Sequence, residues 1–145
     1  MTVKNNGKGL LVGRPRIADA KEFSLSENEK FLFDESIAVA INDEISFEKA
    51  FAKVRKLEGL REKYIQIIIE NNIKGRRNVW RSVCNTIYIK GICSRIAQML
   101  QSNNRTYQKI SEEFNIECIP RLRGRVDDPW KSKCISRLVI RSTML

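Results

Sequence analysis

Arg77, Arg81 and Asn85 stand four residues apart, with Asn78 and Ser82 beside them. On a helix that spacing gathers them on one face, while Val79, Val83 and Ile87 share the opposite one. Arginine and asparagine are the side chains whose paired groups match guanine and adenine edges in a major groove. Basic residues at a helix start also hold phosphates, through side chain and free backbone amides together. The pattern predicts a reading helix that begins near Arg76 and Arg77, after the turn Asn72-Ile73-Lys74-Gly75. Its rival is a solvated amphipathic helix with no ligand.

The charge around that helix points the same way. The 145 residues carry a formal charge of +10, unevenly distributed. Residues 17–50 hold nine acids against three basics, whereas 71–111 hold eight basics, ending with Arg105 and Lys109, and no acid at all. Solvated helices ordinarily mix signs, because like charges at i,i+4 repel. A long carboxylate-free stretch is therefore expected to face a polyanion, each cation displacing a condensed counterion. The acidic segment either balances the fold's charge, docks a partner or folds onto the basic surface.

Two further Arg-rich stretches flank this region. In Val12-Gly13-Arg14-Pro15-Arg16, glycine and proline disfavour a helix and leave the arginines on an extended arm. In Pro120-Arg121-Leu122-Arg123-Gly124-Arg125, the alternation places Arg121, Arg123 and Arg125 on one side of an extended chain, able to track a phosphate backbone.

Two resemblances accompany these residues. Gly13-Arg14-Pro15-Arg16 resembles the Gly-Arg-Pro core of AT-hook peptides and the stretch that flanks helix-turn-helix domains in resolvases and other mobile-element proteins. That likeness implies contact of Arg14 and Arg16 with a narrow A·T minor groove. The run Thr106–Cys118 resembles the first helix and turn of a helix-turn-helix unit. Ile110 and Phe114 take the apolar positions, Ser111 the small one, Asn115 the turn and Ile116 the following anchor. Pro120, however, falls where the second helix should be in its first turns.

Enzymatic readings find little support. There is no histidine, which removes the Ser-His-Asp and Cys-His schemes. No phosphate-binding glycine loop is present. Asp34, Asp43, Glu44, Asp127 and Asp128 are the carboxylates a metal-dependent nuclease could use, and are better explained as a helix cap and an acidic face. Cys84, Cys93, Cys118 and Cys134 form no C-x-x-C pair, so buried or incidental thiols are expected, without metal or cofactor.

These features must be positioned by helices. Apolar residues recur at spacings of three and four after Ser26, which with Glu29 matches a capping box. Phe31, Phe33, Ile37, Val39 or Ala40, and Ile41 are the expected apolar face. Ser46 and Thr106 are further caps, and Gly59 is a site for a kink or split. Gly91 is a candidate interruption. Asp128 is read as the cap of a last helix, with Pro129 at its first position.

The sequence thus predicts an all-α protein of about six helices: a flexible basic arm over residues 1–22 and a single helical domain over 23–145. The expected function is double-stranded DNA binding, as a transcriptional regulator or DNA-organising accessory factor, without catalysis. A homodimer formed through 46–70 or the C-terminal helix would supply two half-sites. The alternatives are an RNA-binding protein, with Trp80, Tyr88 and Tyr107 available for stacking, or an adaptor or inhibitor that binds an acidic protein surface. No apolar run is long enough to span a bilayer, and no signal-peptide core follows the N-terminal basics. The expected location is the cytoplasm, in association with the nucleoid, or the nucleus in a eukaryote.

Overall fold

Ser26 opens the first helix by satisfying an amide that the helix cannot. Its Oγ accepts from the Glu29 amide at 3.2 Å, and the Glu29 carboxylate accepts in return from the Ser26 amide at 2.9 Å. The computed structural model describes residues 24–71, 79–103, 106–124 and 127–142. Six helices run through them: α1 (Glu27–Asp43), α2 (Phe47–Val54), α3 (Arg61–Glu70), α4 (Val79–Asn103), α5 (Tyr107–Ile116) and α6 (Ser132–Ser142). Among the described residues there is no strand, so the fold is all-α. No described helix is long and apolar enough to cross a membrane.

The buried stripe of α1 is Glu29, Leu32, Phe33, Ser36, Ile37 and Ala40, a regular three-and-four spacing. This corrects the expected face. Phe31 and Ile41 are 47% and 40% exposed, because α1 is apolar on several sides and packing against α2, α3 and α4 selects one of them. The ammonium of Lys63 instead covers the outward Phe31 ring, 4.3 Å from its centroid.

Glu44 turns the chain in the left-handed region, and Ser46 caps α2 by accepting from the Lys49 amide. Gly59, at φ +86°, splits the apolar segment 46–70 into α2 and α3. Gly91, by contrast, interrupts nothing. α4 runs straight through it, and a β-carbon there would overlap the ring of Phe33 on α1. The glycine is a close-approach point between two helices, worth its cost in helix propensity.

α4 is the central element, packed against α1, α2 and α6. Its Cys84, Ile87, Ile92, Cys93, Ile96 and Ala97 are fully buried. A chain of rings crosses the core from Phe33 through Phe47 to Tyr88 and Phe51, with centroids 5.0–6.2 Å apart. One continuous cluster of buried residues takes members from all six helices.

The second half of the resemblance to a helix-turn-helix meets a different geometry. Ile110, Ser111 and Phe114 are buried on α5, but the left-handed residue is Cys118, not Asn115, and Ile116 is 81% exposed rather than an anchor. Asn115 uses its amide to grip the backbone of Trp130, accepting from its N–H at 2.6 Å and donating to its carbonyl at 3.0 Å. That grip pins the backbone of residue 130 outside a helix. The last helix therefore starts at Ser132, not at Asp128–Pro129, and Asp128 is exposed and caps nothing. No second helix follows α5 directly; the described residues from Glu117 to Lys131 are non-helical.

Candidate nucleic-acid interface

The non-helical segment after α5 is basic, yet its backbone is firmly held. Four successive carbonyls accept hydrogen bonds from three different parts of the fold. Ile119 accepts from the Trp130 indole at 2.8 Å and Pro120 from the Tyr88 hydroxyl at 2.8 Å. Arg121 and Leu122 accept from the amides of Phe47 and Glu48, at 2.9 and 3.0 Å. The last two amides belong to the first turn of α2, which has no intrahelical acceptor for them. With these four carbonyls bonded to the rest of the fold, residues 119–122 form a fixed ledge that sets where Arg121 and Arg123 stand.

Arg121 lays its guanidinium over the buried Trp130 ring, 4.8 Å from the centroid. Trp130 is in turn set edge-on against Phe114 at 5.1 Å, so the platform is part of the core. Arg123 donates from Nε to Glu48 Oε2 at 2.7 Å and from Nη2 to Asn85 Oδ1 at 3.0 Å. A guanidinium has five N–H donors, so two are engaged and the others remain to face a ligand. From the far side, α6 contributes Arg137, exposed and three residues beyond Cys134.

These three arginines line one groove of about 270 Å³. Tyr88, Leu122 and Leu138 form its apolar wall, and Trp130 and Cys134 complete it. No carboxylate lines it among the described residues; Glu48 stands behind Arg123. Low-dielectric walls strengthen the field of the cations they border. Cys84 lies within reach of the Glu48–Arg123 pair. Burial, seconded by Glu48 and opposed by Arg123, pushes its thiol up to about 12, so it stays a neutral thiol near neutral pH.

Of the residues singled out in the sequence, Arg14, Arg16, Lys74, Arg76, Arg77, Asn78, Arg105 and Arg125 lie outside the described residues. Arg81 is exposed at the start of α4, its guanidinium 5.3 Å from the Trp80 centroid, with Arg55 at 5.1 Å from the same ring. Lys109 is exposed on α5. Asn85, one turn beyond Arg81, is half-buried and engaged with Arg123, so it is not extended towards a base edge as the reading helix required.

The carboxylate-free run does not stay carboxylate-free once folded. Lys90 pairs with Glu29 of α1 at 3.4 Å, and Arg95 lies over the Phe33 ring at 5.5 Å. The acidic helices thus fold onto part of α4, and the cluster of arginines without lining acids lies instead on the ledge and α6. Arg137 escaped the sequence reading. The signal was available: residues 129–145 contain Lys131, Lys133, Arg137 and Arg141 and no acid.

Comparison with known protein families, with curated proteins and with solved structures finds no match to this chain. Among the described residues no three His, Cys, Asp or Glu side chains come together as a metal site.

Proposed function

We propose that the protein binds nucleic acid, with DNA as its partner, through the Arg121–Arg123–Arg137 groove and without catalysis. One observation carries this reading: arginines from two separate segments converge on a single groove whose lining holds no carboxylate among the described residues. Like charges are not gathered this way without cause, since their mutual repulsion must be offset by other interactions of the fold. Guanidinium forks match phosphate oxygens in pairs, and stacking on Trp130 or anchorage to Glu48 lowers the entropy lost when they do so. Contact is thereby moved from the start of α4 to the ledge and α6. Arg81 and Lys109 are left as outlying phosphate contacts.

In this reading the protein is a regulator of transcription or a DNA-organising accessory factor. A homodimer formed through α3, where Ile65 and Ile69 are 43% and 62% exposed one turn apart, would present two grooves. The test is competition binding with labelled duplex DNA, using unlabelled duplex and single-stranded RNA at rising salt. A steep loss of affinity with salt and better competition by the duplex are expected. Binding that ignores salt would contradict a phosphate-directed groove, and better competition by RNA would move the partner to RNA.

A further inference from the structure

Three properties of the groove set it apart from a strip of surface cations along which a phosphodiester chain could pass. The first is size. About 270 Å³ lies just under the roughly 300 Å³ at which pockets for drug-sized molecules begin. That is room to seat one nucleotide-scale group.

The second is charge. Among the described residues, three guanidinium groups and the Glu48 carboxylate paired with Arg123 leave a local excess of two positive charges. A phosphodiester brings one negative charge, whereas a phosphomonoester brings about −1.5 to −2 near pH 7. The match is to the monoester.

The third is donor geometry. A monoester presents three terminal oxygens, one more than a diester, and three guanidinium groups surround this space. Arg121 and Arg123 arrive already held, by Trp130 on one side and by Glu48 and Asn85 on the other. The apolar wall of Leu122, Leu138 and Tyr88 offers nothing to a second phosphate but suits the face of a sugar or base.

We infer that the groove is a site for a phosphomonoester borne on a nucleotide, and that its source is the terminal phosphate of a nucleic-acid strand. This rests on the proposed nucleic-acid binding and narrows it from backbone contact to end recognition. A free nucleotide offers the same chemistry, and the experiment separates the two sources.

The test is fluorescence anisotropy with oligonucleotides of one sequence bearing a phosphate at the 5′ end, at the 3′ end or at neither. A fluorescent nucleoside monophosphate is titrated in parallel. A terminal phosphate at one end is expected to tighten binding by about tenfold, the effect of one added set of charge-assisted hydrogen bonds. Arg137→Gln, at an exposed position that leaves the core intact, is expected to reduce that preference to less than about twofold. Equal affinity for phosphorylated and hydroxyl-ended strands overturns the inference and leaves nucleic-acid binding standing. Binding of the nucleoside monophosphate with no strand bound upholds the monoester site, makes the free nucleotide its ligand and removes the nucleic-acid reading. Binding of no probe overturns both.

Discussion

Arg123, in the loop after α5, reaches back to Glu48 near the start of α2 and donates from Nε to Oε2 at 2.7 Å. The same helix start gives its Phe47 and Glu48 amides to the carbonyls of Arg121 and Leu122. One turn of α2 therefore sets both the backbone of the ledge and the side chain of one of its arginines. An acidic residue of the N-terminal half acts here as the holder of a basic one, and moderates the charge it presents.

Glu48→Gln keeps an acceptor for Arg123 while removing the negative charge. Nucleic-acid affinity is expected to rise by about threefold at low salt, the effect of one charge at several ångströms in a watery setting. The gain should fade by about 0.5 M salt as screening shortens the reach of the field. Folding stability should change little, since Arg123 is more than half exposed. Anisotropy titrations at two salt concentrations check this; an affinity that falls would show that Glu48 serves to position Arg123 more than to offset it.

Tyr88→Phe removes the buried hydroxyl that donates to the Pro120 carbonyl at 2.8 Å. A buried acceptor left unsatisfied costs about 1–3 kcal/mol. The variant is expected to unfold at lower urea and to bind nucleic acid more weakly at concentrations where it is still folded, because the ledge is loosened. Unchanged binding by the folded variant would detach the ledge from the site.

Gly91→Ala places a methyl group inside the space of the Phe33 ring. Overpacking of this kind costs about 1–3 kcal/mol, which outweighs the gain of at most about 1 kcal/mol from alanine's helix propensity. Adding Phe33→Leu should restore part of the loss, and urea unfolding of the single and double variants measures it. A stabilised Gly91→Ala would mean that α1 and α4 separate with little resistance.

The Cys84 thiol gives an alkaline signature. The unfolded chain ionises it near 9.0, whereas in the fold burial holds it at about 12. Folding thus favours the neutral thiol. Its contribution to stability is complete below pH 9 and declines as pH climbs towards 12. Tyr64, raised by burial against the opposing pull of Arg55, acts in the same direction. The urea midpoint should fall from pH 8 to pH 10, and by less in Cys84→Ala. At pH 8 a thiol reagent should modify exposed Cys118 promptly and buried Cys84 only on unfolding.

What could be read from the chain beforehand was whatever acts over three or four residues. Ser26, Ser46 and Thr106 cap helices as their side chains dictate, and Gly59 breaks one. The start of α6 is not legible locally because a partner distant in sequence decides it: Asn115 binds both backbone groups of Trp130, and the helix begins at Ser132. Gly91 was ambiguous for the same reason, since its role is set by Phe33. The groove is wholly tertiary. Arg121 and Arg123 were visible as candidates, but neither Arg137 as their companion nor Glu48 as an anchor follows from local spacing. The carboxylate-free stretch was a property of the linear chain, and Glu29 meeting Lys90 shows why linear charge alone does not locate a surface.

The most direct test of the groove is the salt dependence of duplex binding by a variant with Arg121, Arg123 and Arg137 all changed to alanine. Each phosphate neutralised contributes about 0.9 to the slope of log affinity against log salt. The variant, with its helical circular dichroism retained, should lose about 1 or more in slope, at least one phosphate's share, and most of its affinity. Should it bind as tightly as the parent chain and with the same slope, the groove is not where nucleic acid is held.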